Sequence, residues 1–215
     1  MPGGVPITGA VGPQSQTSAG DGTPLSPYQG RQGQLVVQDF LPRYAEAAYR
    51  GLLFNGANQA GQAITNLAAA ATGLILINPL GSGKNLWLVD MVVSMSSAEA
   101  STLPVVTLAA NSNPLALSSY TLTTPLTINA ALVGSTNATV AKLLSSATLP
   151  AAPAIVRSIW GVQSFGTVGT TAVPNPQVKD EVSGAIGISP GCAISLSSSA
   201  ALSAIASFTW MEIPV

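Results

Sequence analysis

From Gly73 to Val215 the chain is cut by Pro, Gly, Asn and Ser into short runs rich in Val, Ile, Leu and Thr, a pattern that constrains the fold more than any other feature. Runs this short, with turn residues between them, read as the strands of a sandwich or barrel. The spacing predicts strands near 73–79, 85–96, 103–110, 118–128, 138–144, 153–163, 184–189, 192–198 and 203–213. In the second of these, Trp87, Val89, Met91, Val93 and Met95 recur at the two-residue strand period and are expected to face the core. Leu86, Leu88, Asp90, Val92 and Ser94 then share the other face, whose apolar members suggest that a second subunit covers it. The last strand places Ala206, Phe208 and Trp210 on one side, joined by Glu212, with Ser207, Thr209 and Met211 opposite. Trp87 and Trp160 read as core, and Trp210, near the end of the strand, as partly open.

Composition separates two zones before this β domain, which is read as 66–215. Residues 1–34 consist largely of Gly, Pro, Gln, Ser and Thr, and Val5, Ile7, Val11, Leu25 and Tyr28 are spaced too irregularly to make a core. This is an extended arm without a fold of its own, either a disordered tail or a segment ordered along a neighbouring subunit. Residues 35–65 read as a helical connector: Asp39 can cap, Pro42 suits a first turn, and Gly51 is a stop. Arg43, Glu46 and Arg50 would form one charged face, with Phe40, Tyr44, Ala47 and Ala48 toward the other side. Such a helix either caps an open end of the β domain or docks on a partner.

Chemistry is poorly provided for. There is no histidine, Cys192 is the sole cysteine, and charged residues make up 7% of the chain. Acid–base, nucleophilic and metal catalysis therefore lack their usual carriers, and the expectation is a protein that is not an enzyme and holds no cofactor or metal. Gly81-Ser82-Gly83-Lys84 falls short of a phosphate loop, because Asn78 stands where its first glycine belongs and Asn85 where its hydroxyl belongs. A tight turn between strands accounts for the same residues. Asp180 and Glu181 are adjacent and would point to opposite faces of a strand, and the serines of 195–204 read as small polar fillers.

Cys192 has no disulfide partner in the chain and reads as a small buried hydrophobe. Asn137-Ala138-Thr139 is a formal glycosylation acceptor, yet Met1–Pro6 lacks the basic and apolar regions of a signal peptide, so assembly in the cytoplasm is expected. The seven basic residues are scattered and form no stripe for a nucleic acid. The apolar stretch 63–80 is interrupted by Asn66, Gly73 and Asn78, so no membrane span is expected. With a net charge of −1, little repulsion opposes self-association, and a homo-oligomer or larger assembly follows.

Ile188-Ser189-Pro190-Gly191-Cys192-Ala193-Ile194-Ser195-Leu196, followed by Ser207-Phe208-Thr209-Trp210-Met211-Glu212-Ile213-Pro214-Val215, resembles the closing strands of tailed-phage virion proteins. Tyr49 to Ala60, leading to Asn78 to Leu86, is similar to uncharacterised phage structural proteins. The resemblance implies an all-β, jelly-roll-type β-sandwich, here preceded by an extended N-terminal arm and one short helix. It also implies a homotrimeric capsid cement or decoration subunit, located in the virion and bound to the major capsid protein or another virion protein. Tyr28, Phe40, Tyr44 and Tyr49 are the expected contact residues, since aromatic side chains are favoured at interface centres; local packing under the β domain is the competing reading. The other functional readings are a phage tail or host-attachment protein that binds a cell-surface glycan or protein, and a glycan hydrolase.

Overall fold

Strands with one apolar face must bury it against another layer, and this chain does so by stacking two antiparallel sheets. The computed structural model describes residues 42–96, 104–161, 177–200 and 202–215. The chain divides into Met1–Arg43 and Tyr44–Val215, and every element below belongs to the second unit. The arm assigned to 1–34 lies outside the described residues.

Numbered in chain order, one sheet contains β1 (Leu53–Ala57), β2 (Gln62–Ile64), β4 (Lys84–Met95), β7 (Ile128–Ala130), β10 (Gln177–Asp180), β11 (Ile186–Ile188) and β13 (Leu202–Pro214). The other contains β3 (Ala70–Ile77), β5 (Val105–Asn111), β6 (Thr121–Pro125), β8 (Lys142–Thr148), β9 (Ala154–Gly161) and β12 (Ala193–Ser198). The pairing is nested. β1 pairs with β13, β3 with β12, β4 with β10, and β5 with β9. Rolling one long antiparallel hairpin into two layers produces this order, with β6 to β8 as an excursion between β5 and β9.

Between the layers lie Leu74, Leu76, Leu108 and Ile194 from one sheet, and Phe54, Leu88, Met91, Phe208 and Trp210 from the other. The Phe54 and Trp210 rings stack with centroids 6.3 Å apart. Ile75 and Ile77 alternate with Leu74 and Leu76 and are buried too, in a second cluster with Tyr120, Leu144 and Leu149. β3 is consequently apolar on both faces, which explains its unbroken run Leu74-Ile75-Leu76-Ile77.

Two expectations change. The two-residue period along β4 breaks at Val89: Thr209 faces Asp90, whereas Trp210 faces Leu88, so Val89 is an extra residue. This bulge reverses the phase. Met91, Val93 and Met95 point into the core as expected, but Leu86 and Leu88 join them, and Trp87 is turned to the outer face, half-buried. Trp210, expected to be partly open, is completely buried.

The stretch 35–65 is less helical than expected. Its described part holds one short helix, α1 (Ala45–Tyr49), and then β1 and β2, so the sandwich begins at Leu53 and not at 66. The Glu46–Arg50 pair forms at 2.7 Å, and Gly51 ends the helix at φ +70, in the left-handed region that favours glycine. β1 and β2 lie end to end along β13, and Asn58 fills the gap between them. Its backbone and side-chain amides donate to Ala206 and Ala204, and its side-chain oxygen accepts from the Ala206 N–H, so an amide side chain continues the ladder. The run 118–128 also divides, into β6 and the approach to β7, because the chain changes sheets there.

The two faces of β13 should respond differently to truncation. Phe208→Ala is expected to destabilise the fold by about 3–5 kcal/mol, and Ile205→Ala, on the outer face, by less than about 0.5 kcal/mol. Urea denaturation midpoints measure both.

Candidate functional site

One end of the sandwich is closed by turns with few apolar residues to pack, and polar side chains hold it together. Asn78, fully buried at the end of β3, is the hub. Its side-chain amide donates to the carbonyls of Lys84 and Ile188, and its oxygen accepts from the Ser82 hydroxyl. Its backbone exchanges bonds with Gly191 and Cys192. The segment expected to be a tight turn is one, and Asn78 is its anchor.

Beside it, Glu212 is 0% exposed, on the aromatic face of β13 where the sequence period placed it. Lys84 Nζ lies 2.9 Å from one carboxylate oxygen. The other accepts from the Thr139 hydroxyl and, at 3.1 Å, from the Val140 N–H. With its lone pairs so committed, this carboxylate acts as a clamp between β13, the start of β4 and the 131–141 segment. The same bonding occupies the hydroxyl of the Asn137-Ala138-Thr139 sequon, and an added Cβ at Gly51 would collide with the Asn137 amide.

Tyr120 donates to the Gly191 carbonyl at 2.8 Å. Burial pushes its phenol above the usual value, and the neighbouring Cys192 thiol adds to the shift. Cys192 is buried and free, within reach of the Ser189 hydroxyl and the Ser112 carbonyl. Asp180 pairs with Arg157 at 2.7 Å and Glu181 with Lys179 at 3.2 Å. Among the described residues no three His, Cys, Asp or Glu side chains gather as a metal site would require, and no helix is long and apolar enough to cross a membrane.

At the same end several apolar side chains reach the surface, beside exposed Arg50, Thr136 and Asn137. Tyr49, Leu80, Leu132, Val133, Ile213 and Val215 are all exposed, Val133 to 95%. Backbone bonds place them at the same end: Val215 donates to Gly83, Glu212 to Leu52 and Ala131 to Leu53. Of the four expected contact residues, Tyr49 is 66% exposed at this end. Tyr44 is half-buried at the start of the helix, and Tyr28 and Phe40 lie outside the described residues. Leu80, Leu132 and Val133 were not expected as surface residues, although Leu80 and Val133 each sit beside a turn glycine, where an apolar side chain has no strand face to occupy.

No family model, curated protein or solved structure matches this chain.

Glu212→Ala strands the Lys84 ammonium and the Val140 N–H and is expected to destabilise the fold by about 3 kcal/mol, less than a wholly buried pair because Lys84 keeps some water; calorimetry measures it. The Tyr120 phenol gives a second expectation. Its folded pKa lies above the unfolded one, so its contribution is complete below the unfolded value, near pH 10, and is lost as pH rises past it. One phenol is expected to ionise late in an absorbance titration, and in Tyr120→Phe that late step and its share of the alkaline loss of stability should disappear.

Proposed function

We propose that the protein is a non-enzymatic structural subunit of a virus particle, a cement or decoration protein of the capsid that self-associates as a trimer and clamps neighbouring shell subunits. The observation that carries this reading is the set of apolar side chains Tyr49, Leu80, Leu132, Val133, Ile213 and Val215 exposed at the end of the sandwich that the Lys84–Glu212 pair ties together. Large apolar side chains gathered at one exposed end of a folded domain favour an interaction site there. The low charge of the chain supports the same reading, because a surface of this kind is stable in solution only when much of it is covered. The resemblance of its closing strands to tailed-phage virion proteins supplies the setting.

The purified chain is expected to have a native mass near three times 21.5 kDa, and a charge at the apolar end, as in Val133→Asp, should lower it to that of the monomer. In particles from an infected culture, quantitative mass spectrometry should find about one copy per shell subunit. A few copies per particle would overturn the cement reading in favour of a tail or host-attachment protein.

A further inference from the structure

Asn55-Gly56 is the one Asn-Gly pair in the sequence, and it lies inside β1. Residue 56 is buried, and a Cβ there would collide with the Leu143 side chain of the other sheet and press on the Thr127 carbonyl oxygen. The glycine is therefore required by the packing of the two layers. It pairs with Phe208 of β13 on one side and with Ile128 of β7 on the other. Two bonds that bracket it decide which neighbour takes its N–H. The Glu212 N–H donates to the Leu52 carbonyl and the Asn58 N–H to that of Ala206. Bonded and non-bonded pairs alternate along an antiparallel ladder, so Gly56 and Phe208, midway in this series, form a bonded pair. The Gly56 N–H thus donates to the carbonyl of a fully buried residue.

An asparagine followed by glycine readily loses its side-chain amide, because glycine offers its backbone nitrogen with no side chain in the way. The nitrogen of residue 56 attacks Cγ of Asn55. A bond from that nitrogen to Cγ forms, the bond from Cγ to the amide nitrogen breaks, and ammonia leaves with the proton given up by the Gly56 N–H. Water then opens the five-membered succinimide at either carbonyl, leaving aspartate or isoaspartate at residue 55. The folded strand denies both requirements of the attack. The N–H is held by Phe208, and ring closure needs Cβ and the Gly56 nitrogen eclipsed across the Cα–C bond, which an extended backbone does not allow. Asn78, Asn113 and Asn175 precede proline, which has no N–H to give up.

We propose that Asn55 is a site of self-catalysed deamidation whose rate is set by the parting of β1 from β13. Opening of that pair frees the Gly56 N–H and releases the backbone from its extended form, and reclosing stops the reaction. The change is one-way. Isoaspartate adds one atom to the main chain between residues 55 and 56, so Phe54 and Gly56 can no longer both keep their partners Trp210 and Phe208. The aspartate product instead places a new carboxylate in the register row that holds Thr209 and Asp90. The proposal does not depend on the shell reading, since it concerns the chemistry of one strand whatever the protein assembles with.

The test incubates the full-length chain at mildly alkaline pH in three states: native, in a urea series below the unfolding midpoint, and fully unfolded. Peptide mapping by mass spectrometry follows aspartate and isoaspartate at residue 55. In the unfolded chain residue 55 is expected to convert faster than any other asparagine. In the native chain it should convert at least about a hundredfold more slowly, and the rate should climb with urea. Phe208→Ala, which weakens the β13 side of the pair, should speed the native reaction about tenfold or more; if that variant does not fold, the urea series on the parent decides. Aged parent protein should show a lowered urea midpoint, and Asn55→Gln aged in parallel should not. Native conversion as fast as unfolded, a native rate indifferent to urea, or a faster asparagine elsewhere in the unfolded chain would overturn the proposal.

Discussion

The seven-stranded sheet is organised around β13. It lies between β4 on one side and β1 with β2 on the other, so the first strands of the described chain pair with the last. β12 stands in the same relation to β3 and β5. Such nested pairing carries a high loop-closure cost and belongs to slowly folding topologies. β13 contributes Ala204, Ala206, Phe208 and Trp210 to the core.

Within this nearly uncharged fold, a few polar side chains do the joining that packing cannot. Asn58 bridges the gap between two short strands, Asn78 ties two turns together, and Glu212 fastens the end of β13 to Lys84 and to Thr139. Each is buried and hydrogen-bonded to a remote part of the chain. A buried polar group left without partners is costly, so these residues specify one arrangement of the turns over others that would bury similar apolar area. That specification leaves the outside free to expose apolar side chains at one end, and the proposed function rests on them.

Much of the fold was legible along the chain. β4, β12 and β13 follow from alternation between turn residues, and the burial of Glu212 follows from its place in the period of Phe208 and Trp210. β1 and β2 were hidden: Leu53–Ala57 contains Asn and Gly, Gln62–Ile64 is three residues long, and both are strands because β13 offers them an edge. Little of the candidate site was legible. Tyr49 was singled out for its residue type, but Leu80, Leu132 and Val133 lie in turns whose position at a common end depends on bonds such as those from Val215 to Gly83 and from Ala131 to Leu53.

The sequence by itself determined that the chain forms short strands in two apolar layers and that its scant, scattered charge leaves few groups for catalysis. Both are local or compositional properties, readable from period and count. Tertiary structure alone decided which side of β4 faces water. Alternation gives relative phase within a run, and one inserted residue, Val89, reverses that phase at a point defined only by pairing with β13. The reversal exposes Trp87 and keeps Leu86 and Leu88 inside, so the surface this protein presents is set by a register between residues more than a hundred positions apart.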